Sequence, residues 1–167
     1  MEPRDLSAEQ EPVFDDGPLR EATPYPKANL GRRFLAHLID AVLAGLGVAL
    51  VGLVSASLGG LVGALYFLVR DGLTLDWMDR RSIGKRLMKL RPIRLDGAPV
   101  DLETSVRRNW MWTLGYLGSI SFAGLAWVLG VAGLTLLVYE AYRVVTDPGG
   151  RRWGDELAGT QVIDATG

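Results

Sequence analysis

The chain has 167 residues, a net charge of −1 and no cysteine, which fits one domain and excludes disulfides, thiolate metal sites and thiol nucleophiles. Its hydrophobic content of 49% is unevenly spread: the first 28 residues are polar and acidic, and two long apolar blocks follow. With a single histidine and no paired carboxylates in a soluble segment, no catalytic set, metal site or cofactor is expected, and the chain reads as a non-enzyme.

Residues 1–28 are predicted to be a disordered acidic tail. Their opening, MEPRDLSAEQEPVFDD, lacks the apolar core of a signal peptide, so the first span has to serve as both targeting signal and anchor. The first apolar block, residues 34–69, is too long for one span of about 20 residues and suits two short ones. Ser55, Ser57, Gly59 and Gly60 offer the break, giving spans over 33–54 and 57–70. Asp40 is the one charged residue in this block. An ionised carboxylate in hydrocarbon needs a partner, a proton or a watery cavity. Arg33 and His37 precede it by seven and three residues, spacings that place all three on one helix face. Small residues also recur four apart, as Ala41, Gly45 and Ala49, a spacing that lets helix backbones approach closely.

The connection over 71–101 is strongly basic. Ile83, Leu87 and Leu90 share one helical face and Lys85, Arg86 and Lys89 the other, which predicts an amphipathic helix with its cations on anionic lipid headgroups. Without base-stacking aromatics or a folded soluble domain, the basic run does not read as a nucleic-acid site. Asp71, Asp76 and Asp79 lack calcium-loop spacing and read as a solvated turn around Trp77. Residues 92–95 followed by Asp96-Gly97 look like a strand entering a turn, and Gln161-Val162-Ile163 is the other strand-like run, so the two could pair as a small cytoplasmic sheet.

Asp101 is the expected N-cap of a third span over 102–120. A turn at Gly118, Ser119, Ser121 and Gly124 leads to a fourth over 123–145, ended by Asp147-Pro148-Gly149-Gly150. The expected architecture is therefore an all-α membrane protein: four short transmembrane helices as two hairpins, a cytoplasmic amphipathic helix and a two-stranded sheet. Two long tilted spans are the alternative. From Arg70 to Arg108 there are ten basic residues, whereas neither hairpin turn is charged, so both termini and the connection are expected in the cytoplasm. Arg108, Asn109, Glu140 and Arg143 stand at a depth where they could join Arg33, His37 and Asp40 in a buried polar network.

The string Arg33-Phe34-Leu35-Ala36-His37-Leu38-Ile39-Asp40 resembles the opening signature of the RDD family of bacterial membrane proteins, named for one arginine and two aspartates. Ser82-Ile83-Gly84-Lys85-Arg86-Leu87, then Leu95-Asp96-Gly97 with Arg108-Asn109, and Asp155-Glu156-Leu157-Ala158-Gly159-Thr160 agree in order, so the resemblance covers about residues 29–164. It implies that Arg33 is the family arginine, Asp40 the first aspartate and Asp155 the second. The histidine the family often carries just before that last aspartate is replaced here by Gly154. The resemblance implies a multi-pass protein of the bacterial inner membrane and, for activity, points to ion transport.

Two function classes follow. One is a structural or accessory membrane component, with the Arg/His/Asp network pinning its helices and its basic surface on anionic phospholipids. The other is a small ion-coupled transporter exchanging cations or protons through Asp40, oligomeric because four short helices enclose little volume; a homo-oligomer fits either class. Asp155 is expected to cap a helical turn or pair with Arg151, Arg152 or the connection.

Overall fold

The computed structural model describes residues 25–118 and 122–165. Most of the predicted disordered tail, and the turn around Ser119 and Ser121, lie outside the described residues. The tail's predicted end at residue 28 is corrected. Ala28 is buried and Lys27 donates from Nζ to the Val145 carbonyl at 2.8 Å, so 25–28 are tied to the fold.

Helix α1 runs Leu30–Gly52, started by Asn29, whose side chain accepts from the Arg32 amide. A three-residue turn leads to α2, Ala56–Val69, capped by Ser55 accepting from Leu58 N. The two helices pack along small residues. A Cβ on Gly59 would lie 2.6 Å from the Val48 carbonyl, so that backbone approach requires glycine. On α1 the buried row is Ala36, Asp40 and Ala44, not the expected Ala41, Gly45 and Ala49; a Cβ on Gly45 would meet no neighbouring element within 4 Å. The packed face is set by the position of Asp40, one residue off the small-residue stripe.

Helix α3 spans only Ile83–Leu87, begun by Ser82. The predicted longer amphipathic helix is corrected, because Lys89 turns to φ 53° and Leu90 enters strand β1, Leu90–Arg94. After the turn at Gly97, α4 covers Leu102–Asn109 with Asp101 accepting from Thr104 N as its cap. The expected continuous helix over 102–120 is also corrected. It tightens into a 3-10 turn at Trp110–Thr113 before a short α5, Leu114–Leu117. Asn109, at the break, directs its side chain into the protein, donating to Asp71 at 3.1 Å. Helix α6, Ala123–Thr146, is followed by α7, Trp153–Leu157, and by β2, Thr160–Asp164. The two strands pair antiparallel, with Pro92 opposite Val162. Leu90 and Val162 pack on Ala28 and Ala36, which seats the sheet against the start of α1.

α1 and α6 are both long and apolar enough to cross a membrane; α2, with 14 residues, is apolar but shorter. Their side chains face outward to nothing: Phe34, Leu46 and Leu50 on α1 and Trp127, Leu134 and Val138 on α6 are all more than half exposed. Glu140 is the one buried residue of α6. Apolar surface on this scale is what lipid covers. The charged residues gather at the opposite extreme of burial, where α3, α4, α7 and the sheet close over one end of the helices.

Candidate functional site

At that closed end four carboxylates are 0–1% exposed, Asp40, Asp71, Glu140 and Asp155, and the three aspartates each anchor a cluster drawn from different parts of the chain. Asp40, ten residues into α1, receives Arg70 Nη1 on Oδ2 at 3.0 Å. Its Oδ1 accepts from Tyr66 Oη at 2.9 Å and from the Gly84 amide at 2.8 Å. Arg70 is itself 2% exposed, its guanidinium 4.4 Å above the Phe67 ring. The first turn of α3 is thus fastened onto the middle of α1. A Cβ on Gly84 would lie 2.0 Å from the Ala36 carbonyl, so the contact exists because position 84 carries no side chain.

Asp71 follows directly. Lys85 Nζ reaches its two oxygens at 2.5 and 2.7 Å, Asn109 Nδ2 adds a bond at 3.1 Å, and Arg108 Nε stands 3.8 Å away. The expected solvated turn at Asp71 is therefore overturned. Lys85 is likewise removed from the predicted lipid-facing set, because its side chain is buried on Asp71 while Arg86 and Lys89 remain exposed.

Asp155 holds the third cluster. It receives Arg108 Nη2 at 2.7 Å, Arg152 Nη2 at 3.1 Å and Arg33 Nη2 at 3.2 Å, and it caps α7 through the Arg152 amide. Arg33 also donates to the Gly150 carbonyl. Glu140 joins from α6, accepting from the Gly154 amide at 3.0 Å with Arg152 Nε 3.6 Å away. A Cβ on Gly154 would meet the Arg108 carbonyl at 2.2 Å, so this backbone geometry leaves no room for the imidazole that the resemblance puts there.

The expected one-face stripe on α1 is divided by these contacts. Arg33 serves Asp155 and Asp40 takes Arg70. His37 packs its ring at a tilt against Trp112, centroids 4.3 Å apart, with Phe67 at 5.9 Å. Arg108, Asn109 and Glu140 enter the buried cluster. Arg143 does not: it pairs with Glu156 on a partly exposed surface. Arg70, Tyr66, Asp71 and Gly84 are the residues that sequence reasoning missed, whereas Arg152 is one of the partners expected for Asp155. The one signal was Arg70, the first cation after a span whose polar end lies level with Asp40.

The groups beyond the apolar helices carry marked electrostatic shifts. Burial opposes ionisation of Asp71, but Lys85, Arg108 and Arg70 outweigh it and hold its carboxyl well below the usual range. Burial likewise opposes ionisation of Asp155, and Arg152, Arg108 and Arg33 overcome it and hold that carboxyl well below the usual range too. Burial alone works against Arg152, yet Asp155 and Glu140 raise it. Burial draws Lys85 down to about 7 against the pull of Asp71. The short bonds to both Asp71 oxygens favour the ammonium, and we take the pair as charged at neutral pH.

A depressed carboxylate stabilises the fold above its unfolded pKa of about 3.9, and that contribution is lost as pH falls through and below this value. Lys85 is protonated in both states in that acid range and adds no slope there. The melting temperature in detergent is expected to fall steeply below about pH 4. An equal melting temperature at pH 5 and pH 3 would show that Asp71 and Asp155 are not ionised as described.

The sequence matches the RDD family over residues 27–159, which includes all three clusters. The chain belongs to the RDD family. RDD proteins are membrane proteins, which agrees with the long apolar helices α1 and α6. No curated protein and no solved structure matches the chain. In this RDD protein the residues that resemble the signature, Arg33, Asp40 and Asp155, lie at one closed end of the fold. There the arginine bonds the second aspartate, while the first is satisfied by Arg70.

Proposed function

We propose that this RDD protein is a non-enzymatic structural or accessory component of the bacterial inner membrane. It crosses four times, with both termini and the network end in the cytoplasm. Two crossings are the long helices α1 and α6. The other two are α2, about 21 Å long at 1.5 Å per residue, and the segment that follows α4, from Trp110 through α5; short spans of this kind are accommodated by local thinning of the bilayer. The exposed Arg86 and Lys89 would then face anionic phospholipid at the inner leaflet. Reporter fusions after Val54, Asp96, Phe122 and Gly167 are expected to read outside, inside, outside, inside. An outside signal after Asp96 would overturn the orientation.

The observation that carries the structural reading is the saturation of Asp40. Its carboxylate is 1% exposed and takes three donors, an ion pair with Arg70 among them. A carboxylate that carries an ion has to release its partner, and this one is clamped by α2 and α3 together. The transporter reading draws support from a cavity of about 390 Å³ between α1 and α6 whose lining includes His37 and Asp40. Purified protein in liposomes is expected to show no proton or sodium flux under an imposed gradient. Flux in the wild type that disappears in Asp40→Asn would replace the structural reading with the transporter.

A further inference from the structure

The same cavity holds a second set of polar groups, distinct from the donors on Asp40. Arg108 spends Nη2 on Asp155, but its Nη1 makes no hydrogen bond among the described residues, although the residue is 0% exposed. Trp112 Nε1 is a buried donor in the same position. Glu140 spends Oε1 on the Gly154 amide, while Oε2, 3.6 Å from Arg152 Nε, makes no hydrogen bond among the described residues, at 1% exposure. All three residues line the cavity. Buried polar groups left open in this way cost stability unless something satisfies them. Arg33, Asp40, Lys85 and Arg152 also line the cleft, but each is paired within the clusters described above, so the hydrogen-bonding capacity left over on the floor is two donors and one carboxylate oxygen.

The walls are of a different character. Leu30 and Phe34 on α1 face Leu137 and Val144 on α6, and the cleft lies beside helices whose outer surfaces are apolar throughout. Its volume lies within the range of small-molecule sites. An apolar slot between membrane helices with a polar floor fits an amphiphile, head inward and chain along the helices. A purely anionic head would satisfy Arg108 and Trp112 but crowd Glu140. An ammonium alone would satisfy Glu140 and face Arg108. A head carrying phosphate and a hydrogen-bonding ammonium satisfies both sides.

We infer that the cleft between α1 and α6 binds one ethanolamine phospholipid, with its phosphate on Arg108 and Trp112 and its primary ammonium on Glu140. Choline lipids are disfavoured because a quaternary ammonium has no N–H to donate. The inference rests on the proposal that the protein sits in a bilayer, but not on its orientation or on the role of Asp40.

The test is native mass spectrometry of the full-length protein, delipidated and titrated separately with dioleoyl phosphatidylethanolamine, phosphatidylcholine and phosphatidylglycerol. One ethanolamine lipid should be retained at least about ten-fold more tightly than either of the others, the scale of one charge-assisted hydrogen bond. Soluble phosphoethanolamine, lacking the chains, should not displace it at equal concentration. Ala141→Trp, on the α6 wall and outside the ion clusters, should abolish retention without lowering the melting temperature. Glu140→Gln should keep lipid binding but lose the preference. Equal retention of the three lipids, tighter phosphatidylglycerol, retention unaffected by Ala141→Trp, or a lipid-free dimer occupying the cleft would each overturn the inference. Because the topology fusions are read independently, a failure here leaves the membrane proposal standing.

Discussion

Asp40→Leu is expected to destabilise the protein by about 3–5 kcal/mol, because it leaves Arg70 charged and buried without a partner. Arg70→Leu should cost a comparable amount, since Asp40 keeps Tyr66 and Gly84 but loses its counter-charge. The double variant Asp40→Leu with Arg70→Leu should recover much of either loss, as removing both members of a buried pair is often nearly neutral. Tyr66→Phe removes one hydrogen bond to the carboxylate and should cost about 1.5–3 kcal/mol. Arg33 supplies the control. It bonds Asp155 rather than Asp40, so Arg33→Leu should add to Asp40→Leu without rescuing it. Thermal melting in one detergent measures the whole series. Rescue of Asp40→Leu by Arg33→Leu, with none from Arg70→Leu, would mean that the pairing in the membrane differs from the one described.

Gly84→Ala is the second large effect, and it comes from a methyl group. That Cβ would lie 2.0 Å from the Ala36 carbonyl, a backbone atom that cannot move without bending α1. The relief available is for α3 to lift away. Lifting breaks the Gly84 amide bond to Asp40 and pulls Lys85 from Asp71. Overpacking alone costs about 1–3 kcal/mol, and a hydrogen bond to a charged acceptor adds about 1.5–3 kcal/mol. Gly45→Ala makes the comparison within the same protein. A Cβ there would meet no neighbouring element within 4 Å, and alanine is the better helix former, so it should be neutral or slightly stabilising. If the two variants melt alike, the close seat of α3 on α1 is not a feature of the folded protein.

Both expectations depend on contacts between segments far apart in the chain, and this divides what the residues reveal from what they conceal. The helix starts are local events. Ser55 and Asp101 cap α2 and α4 through bonds to residues three positions on, and an apolar run ending at Asp147 bounds α6. The strand pair is nearly as local in its logic. Leu90–Arg94 and Thr160–Asp164 are the two extended runs outside the apolar blocks, and each needs a partner. The position of Asp40 on a helix face was legible for the same reason, since helical periodicity is a property of the adjacent residues.

Which cation answers that aspartate was not legible. Spacing on α1 points to Arg33, but Arg33 lies near the start of the helix and meets Asp155, brought in by the α6–α7 turn. Arg70 lies thirty residues on and reaches Asp40 because α2 runs antiparallel to α1 and ends level with it. Lys85 shows the limit of periodicity. Its place on a polar face was correct as a pattern, but α3 stops after five residues and packs that face against Asp71 instead of solvent. Gly84 and Gly154 carry no side-chain chemistry at all, and their importance is a matter of which backbone passes within 3 Å.

The sequence by itself therefore determined the apolar runs of α1, α2 and α6, the Asp101 cap, the strand pair and the presence of a buried carboxylate that needs a partner. These follow from hydrophobic periodicity, capping and the cost of an unpaired charge, which act over a few residues. The tertiary structure alone decided the identity of each ion pair, the burial of Asp71 and Lys85, and the cleft between α1 and α6. Those depend on how antiparallel helices align their ends, and a charge in low dielectric pairs with whatever cation the packing brings closest, at any separation along the chain.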